Sequence, residues 1–312
     1  MLKRTLCLLL TLSMLLACSA CSLQELKEQA GPYMRFTDDT GAEVVLETQP
    51  QRVAVLFSSF AEVWSLAGGE TTITVGESVE RGFAAEDAIL VDRGAGKAIN
   101  TELLVDSEPD FVICSADIEA QVLAAEHLRD AGIPTAAFRM ESFSDYLRIL
   151  DLCTVITGDR DAYKTNGASV AARIEQLFSE ISGAPAYSDI LFIRAGSSAS
   201  STKAKTAEEH FAAAMLREIG THNIAEDAPL LLDGLSTEAV IDADPDFIFI
   251  ATMGDEEAAK ANMDSVLSQP AWQSLRAVKN GCYVYLPKEL FQFKPNANWD
   301  DAYEYLIELV YE

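Results

Sequence analysis

Two segments of this chain, 136 positions apart, have closely similar sequences. Residues 100–113 read Asn-Thr-Glu-Leu-Leu-Val-Asp-Ser-Glu-Pro-Asp-Phe-Val-Ile, and residues 236–249 read Ser-Thr-Glu-Ala-Val-Ile-Asp-Ala-Asp-Pro-Asp-Phe-Ile-Phe. Each begins with a good helix-capping residue, carries an acid in the first turn, and places Pro-Asp before an apolar run. A short helix that ends at a proline and leads into a buried strand is therefore predicted twice, which indicates two similar lobes.

The sequence around these segments alternates short apolar strands with amphipathic helices. Strands are predicted at residues 52–57, 72–75, 111–114, 135–138, 190–193, 247–250 and 283–286. The main helices are predicted at residues 60–67, 118–131, 144–155, 207–219, 255–267 and 299–311. A hairpin with an Asp/Gly turn is predicted at residues 35–46. Continuous apolar strands that alternate with helices are typical of parallel sheets, so the expected fold class is α/β with two Rossmann-like lobes.

A long helical segment separates the two halves. In residues 159–181, Val170, Ile174 and Leu177 recur at helical spacing between polar residues. Such a helix would be about 35 Å long at roughly 1.5 Å per residue. The expected organisation is a signal segment, a tether, an N-terminal lobe, a linker helix and a C-terminal lobe, at residues 1–20, 21–34, 35–157, 158–184 and 185–312.

The amino-terminal segment has the pattern of a bacterial lipoprotein leader. Lys3 and Arg4 precede an apolar run at residues 6–17, which is too short for a confident membrane span. Two cysteines follow small residues, as in a lipidation site. Leu15 favours Cys18 as the modified residue, and the Ser-Ala pair before Cys21 favours Cys21, so lipidation is predicted at Cys21 or Cys18. A multiply acylated cysteine is expected, because a single acyl chain anchors a protein to the membrane only marginally.

The chain is strongly acidic, with 49 acidic and 23 basic residues and a formal net charge of -26. Such a surface repels phosphate backbones and excludes a nucleic-acid binder that works by general electrostatics. Cys114, Cys153 and Cys282, which lie beyond the leader, are too few and too far apart for a disulfide framework. Cys114 and Cys153 lie in apolar stretches and are expected to be buried thiols. The spacing does not decide whether one disulfide bridge forms among the three cysteines.

These features together resemble a known family, the substrate-binding proteins of ABC importers for ferric siderophores, haem and cobalamin. The resemblance covers about residues 35–312 and lies in five segments: residues 35–41, 51–62 and 109–113, the long helix at 159–181, and residues 216–225. It implies two lobes bridged by one rigid helix, with a ligand in the cleft, no catalytic residue and no cofactor. It also implies that Glu102 and Glu238, one per lobe, dock on the permease.

Ligands of open α/β lobes bind at the carboxyl ends of the strands. The candidate ligand-binding residues are therefore the side chains that follow the predicted strands: Ser58, Ser59, Phe60, Arg81, Arg139, Arg194, Ser197, Ser198, Lys203, Lys205, Met253, Phe291 and Lys294. Phe293 and Trp299 are expected to join Phe60 and Phe291 in covering apolar faces of the ligand. The Ser/Gly run at residues 196–201 lacks the ending of a phosphate-binding loop and is expected to donate backbone N–H groups to an anion.

Many of the basic residues lie in these same loops. The set consists of Arg81, Arg93, Lys97, Arg139, Arg194, Lys203, Lys205 and Lys294. In so acidic a chain, this concentration predicts a local positive pocket. Arginine forks suit the carboxylate and catecholate oxygens of an anionic ferric chelate.

The function expected is therefore a monomeric, lipid-anchored receptor on the outer face of the membrane, which delivers a ferric siderophore to an ABC permease and its ATPase. Haem or cobalamin is the first alternative ligand. A secreted two-domain enzyme and a scaffold lipoprotein are the alternatives of other classes, although no Gly-x-Ser-x-Gly nucleophile motif is present. No metal site is expected, because His127, His210 and His222 share no metal-ligand spacing.

Overall fold

A computed structural model gives the tertiary structure and describes residues 31–92, 98–184, 189–228, 231–232 and 234–311. The predicted signal segment, with Cys18 and Cys21, lies outside these residues, as do Arg93 and Lys97. In the part of the chain that the structure describes, no helix is both long and apolar enough to cross a membrane.

The N-terminal lobe contains one five-stranded parallel sheet with the strand order β5-β4-β3-β6-β7. Its strands are β3 (Val53–Val55), β4 (Ile73–Thr74), β5 (Ile89–Leu90), β6 (Phe111–Ser115) and β7 (Thr135–Phe138). Its helices are α1 (Ser58–Leu66), α2 (Gly76–Glu80), α3 (Thr101–Asp106), α4 (Glu119–Asp130) and α5 (Phe143–Thr157). The predicted hairpin precedes the sheet as antiparallel β1 (Met34–Thr37) and β2 (Glu43–Leu46). Because the chain order reverses between β3 and β6, their carboxyl ends form the crevice where such sheets bind ligands.

The C-terminal lobe repeats this architecture with parallel strands in the order β10-β8-β11-β12. The strands are β8 (Asp189–Ala195), β10 (His222–Asn223), β11 (Phe247–Thr252) and β12 (Tyr283–Tyr285), and the short antiparallel β9 (Lys203–Ala204) pairs with β8. The helices are α8 (Phe211–Glu218), α9 (Thr237–Ala243), α10 (Glu256–Leu267), α11 (Arg276–Asn280), α12 (Lys288–Phe291) and α13 (Trp299–Tyr311). Here the chain order reverses between β8 and β11. The predicted α/β class with two lobes is confirmed.

The linker between the lobes is helical throughout, but it is not a uniform α-helix. It consists of α6 (Arg160–Tyr163), a π-helical turn (Lys164–Ala168) and α7 (Ser169–Glu180). The π turn lies where the helix packs closely: a Cβ at the buried Gly167 would lie 3.2 Å from side-chain atoms of Leu147, Leu150 and Tyr163. The Tyr146 hydroxyl donates to the Asn166 carbonyl of this turn at 2.8 Å. Regular helical spacing in the sequence gave no sign of the π turn.

One apolar core continues from the N-terminal lobe through the linker into the C-terminal lobe. It contains Phe138 of the first sheet, Ile174 of α7 and Phe192 of the second sheet. Trp299 lies where the lobes meet, with ring centroids 6.0 Å from Phe143 and 5.6 Å from Phe211. Its side chain is 1% exposed. Trp299 is therefore a core residue of the lobe junction, and the expectation that it covers a ligand was wrong.

The three cysteines of the described chain are free, and Cys114 and Cys153 are buried as expected. Burial raises the pKa of both thiols to about 12. The α8 helix is shorter than predicted, because it begins only after His210, whose Nδ1 accepts from the Ala212 N–H at 3.2 Å.

The continuous core predicts that the two lobes unfold together. We expect Trp299→Ala to lower the free energy of unfolding by about 3–5 kcal/mol, because it removes a buried indole from the lobe junction. Tyr283→Ala removes a 38% exposed aromatic residue and is the matched control, with an expected loss below about 1 kcal/mol. Denaturant unfolding followed by circular dichroism and by fluorescence measures both values. Two separate transitions in the unmodified protein would contradict the continuous core.

Candidate functional site

Three adjoining cavities lie between the lobes. The main cavity has a volume of about 630 Å³ and is lined by Glu62, Glu77, Glu80, Arg81, Phe83, Gly254, Lys288, Glu289, Gln292, Phe293 and Asn298. The first five of these residues come from the N-terminal lobe and the rest from the C-terminal lobe. The volume lies within the range of about 300–1,000 Å³ that is usual for small-molecule sites. A ligand in the main cavity would therefore contact both lobes.

Two smaller compartments lie beside the main cavity. The Arg194 compartment has about 200 Å³ and is lined by Glu141, Arg194, Glu209, His210, Phe211, Thr252, Gln292 and Lys294. The Phe57 compartment has about 110 Å³ and is lined by Phe57, Phe60, Ser115, Asp117, Ile118, Met140, Glu141 and Lys294. Gln292 belongs to the main cavity and to the Arg194 compartment. Both compartments lie at the carboxyl ends of the strands where the chain order reverses, as expected for a ligand crevice.

A segment of the C-terminal lobe, residues 291–298, crosses the cleft to the N-terminal lobe. The Phe293 ring lies 4.1 Å from the Arg81 guanidinium carbon, and the Lys294 ammonium lies 2.8 Å from Glu141 Oε2. The Asn296 amide donates to Glu62 Oε2 at 2.8 Å. Asn296 is fully buried with a φ of 53°, a left-handed conformation that asparagine tolerates better than most residues. Residues 291–298 therefore hold the two walls of the cleft together.

Arg81 is the cation that the structure places most clearly in the main cavity. Its guanidinium lies 3.1 Å from Glu62 Oε2 and donates to the Ser58 hydroxyl at 3.0 Å. The Ser58 hydroxyl in turn donates to Glu77. Burial lowers the pKa of Arg81 and raises that of Glu62, while Arg81 and Asn296 oppose the rise at Glu62. Ser58 therefore orients Arg81 within the protein.

The predicted positive pocket is largely neutralised by carboxylates. Arg139 lies 2.6 Å from Asp117, and Lys205 lies 3.1 Å from Glu209. Lys294 and Arg81 have the partners described above. Arg81 and Lys294 are largely removed from water, and a charge in that situation requires a partner. Arg139 is exposed, and neither Arg139 nor Lys205 lines the three cavities. Arg194 is different: among the described residues no carboxylate pairs with it, and burial lowers its pKa.

Several predicted contacts are placed away from the ligand space. Ser58, Ser59 and Phe60 lie inside α1 and are at most 3% exposed, because the helix begins at Ser58 and not after Ser59. Phe60 still lines the Phe57 compartment. Phe291 has no exposed surface and packs in the core, so its assignment as a ligand contact was wrong for this conformation. Met253 is half-buried, and its N–H donates to the Ala195 carbonyl at 2.8 Å.

The Ser/Gly loop uses some of its backbone hydrogen-bond donors internally. The Gly196 N–H donates to Thr202 Oγ1 and the Ser198 N–H donates to Ser201 Oγ, both at 3.1 Å. The Ser197 and Ser198 side chains are exposed, and neither residue lines the three cavities. Lys203 on β9 is half-buried and also lies outside the cavities. The expected role of this loop as a source of backbone donors to an anion stays a prediction, and the loop side chains lie outside the three cavities.

Sequence reasoning missed the acids and amides that line the cavities. The acids and amides are Glu62, Glu77, Glu289 and Gln292, and the hydroxyl residue Thr252 lines the Arg194 compartment as well. Asn296 lies outside the cavity walls and bonds to Glu62. Thr252 could have been found, because it ends β11 at the reversal of chain order. Glu77 and Glu80 share the spacing of one helix face, but that spacing alone is also typical of solvated helices.

A family model and solved structures provide independent comparisons. The family model described as periplasmic binding protein matches residues 53–290, which is more than half of the chain. The chain belongs to the periplasmic binding protein family. The relationship first inferred from the sequence is thereby confirmed. No curated protein sequence matches the chain significantly.

Solved structures share the fold of this periplasmic binding protein at low sequence identity. An ABC transporter substrate-binding protein from Listeria monocytogenes EGD-e has a TM-score of 0.68 at 17% identity, covering 85% of this chain and 99% of that one. Staphylococcus aureus SirA complexed with staphyloferrin B has a TM-score of 0.63 at 17% sequence identity, and the match covers 88% of this chain and 96% of SirA. The haem-binding protein RhuT from Roseiflexus sp. RS-1, in apo form, has a TM-score of 0.66 at 17% sequence identity, and the match covers 83% of this chain and 97% of RhuT. At this identity the likeness shows the fold alone.

The two glutamates predicted to dock a partner occupy equivalent positions in this periplasmic binding protein. Glu102 lies in the first turn of α3 and Glu238 in the first turn of α9, and both are exposed. Asn100 and Ser236 cap the helices, each accepting from the backbone N–H three residues later. The repeated sequence therefore produces the repeated local structure that it predicted.

His210 is the histidine that lies closest to the ligand space. Its ring lies 4.8 Å from both the Phe192 and the Phe211 rings, and it lines the Arg194 compartment. Burial, together with the nearby charges of Lys294, Arg194 and Lys205, lowers its pKa to about 3. Among the described residues, no group of three or more His, Cys, Asp or Glu side chains is placed to hold a metal ion.

The lowered pKa of His210 predicts a specific pH dependence of stability. Between pH 6.5 and about 3 the unfolded chain binds a proton on this imidazole that the folded protein does not, so stability falls as pH falls through this window. We expect His210→Asn, which keeps a helix-capping side chain, to lose less stability than the unmodified protein between pH 7 and pH 4. Urea unfolding at several pH values measures the two slopes. Parallel slopes would show that His210 does not titrate in this way.

Proposed function

We propose that this protein is the extracytoplasmic receptor of an ABC importer, which captures a ferric chelate such as a siderophore and delivers it to the membrane permease. The observation that carries the proposal is the main cavity, with its volume of about 630 Å³ and walls from both lobes. Membership of the periplasmic binding protein family supports it, as do the ligands named for structures of the same fold. In this proposal the protein does no chemistry on its ligand.

The lining of the main cavity favours a chelate over haem. Haem iron is held by His, Cys, Met or Tyr side chains, and the main cavity is lined by none of these. Its walls instead offer Arg81 and Lys288 beside the rings of Phe83 and Phe293. A metal that arrives with its coordination already complete needs charge and shape complementarity, which these side chains can provide.

Titration with a panel of ligands tests the proposal directly. We expect quenching of tryptophan fluorescence by at least one ferric hydroxamate, catecholate or hydroxycarboxylate chelate, with micromolar or tighter affinity. Haemin and cobalamin serve as the comparison ligands. A sharp Soret band on the protein loaded with haemin would favour a haem receptor, and saturable binding of cobalamin would favour that ligand. Failure to bind any member of the panel would favour a scaffold lipoprotein.

The docking surfaces proposed for the permease carry an apolar residue beside each acid. Val105 follows Glu102 by three positions and Ile241 follows Glu238 by three positions, which places each pair on one helix face. Val105 is 38% exposed and Ile241 is 40% exposed. Each lobe therefore presents the same combination of one carboxylate and one apolar group to a partner.

Charge reversal at the docking glutamates is expected to separate transport from binding. In the double variant Glu102→Lys and Glu238→Lys, uptake of the chelate into cells should be abolished, while the affinity of the purified protein should change less than twofold. Glu126→Lys with Glu257→Lys makes the same charge change at exposed positions of α4 and α10 and is the control. Loss of ligand affinity in the first variant would instead place these acids in ligand binding.

We further propose that the receptor is a monomer anchored through a lipid on Cys21 or Cys18. The support for the lipid anchor is the leader pattern alone, since these residues lie outside the described part of the chain.

A further inference from the structure

Arg194 is a half-buried cation without an acidic partner among the described residues, and it lies on the C-terminal side of the cleft. It lies near the carboxyl end of β8, opposite Ala251 of β11, at the point where the chain order reverses. Arg81, Arg139, Lys205 and Lys294 each lie within 3.1 Å of a carboxylate oxygen. Arg194 has no such contact among the described residues, although it lines a cavity. A half-buried guanidinium in this situation provides donors for an anion from outside the protein.

Two uncharged polar groups without partners line the same compartment. Thr252 is 2% exposed, and its hydroxyl oxygen is buried without a hydrogen-bond partner. Gln292 Oε1 is also buried and without a partner. Leaving a buried polar group unsatisfied is costly, so these atoms are the ones expected to bind a ligand group. Thr252 and Gln292 line the Arg194 compartment together with Arg194.

The other charges of the compartment leave Arg194 as its unbalanced cation. Glu141 is paired with Lys294 and Glu209 with Lys205. The imidazole of His210 stays neutral, because Lys294, Arg194 and Lys205 surround a ring that is already desolvated. The compartment, at about 200 Å³, has room for one carboxylate and a few neighbouring atoms.

The main cavity beside it has the opposite balance of charge. Four carboxylates, Glu62, Glu77, Glu80 and Glu289, face two cations, Arg81 and Lys288. Arg81 is already paired with Glu62, and among the described residues Glu80 and Glu289 have no cationic partner. A ligand with several negative charges would place some of them against these unpaired carboxylates, which is unfavourable in a cleft with a low dielectric.

We infer that the Arg194 compartment is a subsite for a single carboxylate, carried by a ligand whose remaining body is uncharged or cationic. Arg194 and Thr252 would donate to the carboxylate, and Gln292 Oε1 would accept from a neighbouring hydroxyl or N–H of the ligand. The inference rests on the proposed receptor function and narrows its ligand class. It departs from the strongly anionic chelate that the concentration of basic residues in the sequence predicted.

A double-mutant cycle between protein and ligand tests the subsite. Ferric hydroxamate, catechol and hydroxycarboxylate chelates, each with one free carboxylate, are compared with their methyl esters by fluorescence titration. We expect the unmodified protein to bind the acid of at least one scaffold about 10- to 100-fold more tightly than its ester, as for a charge-assisted hydrogen bond. In Arg194→Gln the preference should disappear through weaker binding of the acid alone.

Matched variants separate the subsite from general electrostatics. Lys203→Gln removes the cross-strand neighbour of Arg194 and should keep the preference, since Lys203 lies outside the cavities. The unmodified protein should bind a trianionic ferric tris-catecholate more weakly than the tightest-binding chelate with one free carboxylate. The double variant Glu80→Gln and Glu289→Gln should bind the tris-catecholate more tightly than the unmodified protein does. Thermal melting confirms that each variant is folded, and the uncharged Arg194→Met replaces Arg194→Gln if the latter does not fold.

The possible failures are distinguishable. Equal binding of acid and ester by the unmodified protein, or an equal loss for both in Arg194→Gln, would overturn the carboxylate subsite and leave the receptor function standing. Tightest binding of the trianionic tris-catecholate would likewise overturn it. If no chelate binds in either form, the proposed function fails and the subsite fails with it.

Discussion

The packing of the last helix at the lobe junction is the constraint on which the cleft depends. Helix α13 packs along α7 of the linker, where Arg173 pairs with Glu304 and the Phe178 and Tyr303 rings are 5.4 Å apart. At its start, Trp299 fills the space between Phe143 and Phe211. Because protein interiors are closely packed, this shared core restricts how far the lobes can move apart. The dimensions of the cleft are therefore fixed largely by apolar contacts outside the ligand space.

Residues 291–298 add polar contacts to this apolar junction. Phe293 and Asn296 contact the paired Arg81 and Glu62 of the N-terminal lobe, and Lys294 pairs with Glu141 of the same lobe. The same segment lines the cavities, so the residues that connect the lobes also surround the ligand. Binding would then act directly on the contacts that set the spacing of the lobes, which provides a physical route from occupancy of the cleft to small changes in lobe orientation.

The sequence predicted the elements better than it predicted the side-chain environments. Alternating strands and helices are local patterns, and the repeated segments gave the capped helices at Glu102 and Glu238 correctly. The π turn at Gly167 was missed, because the helical spacing of apolar residues does not show the close packing of Gly167 against Leu147 and Leu150 of α5. Ser58 and Phe291 were assigned to the ligand because they follow strands, yet each is buried by its helix. Whether a residue that follows a strand is buried depends on its tertiary contacts, and the position of the strand in the sequence does not show these contacts.

What the sequence by itself determined is the α/β architecture in two lobes, the helical linker and the family, because these follow from hydrophobic periodicity, capping residues and a repeated motif. Only the tertiary structure decided the electrostatics of the cleft. The basic residues are evident in the sequence, but their carboxylate partners come from distant positions, such as Glu141 for Lys294. The net charge that a ligand meets in the cleft depends on which cations and carboxylates lie close together in the folded chain. The folded chain therefore pairs Arg81 and Lys294 with carboxylates and leaves Arg194 and Lys288 without an acidic partner among the described residues.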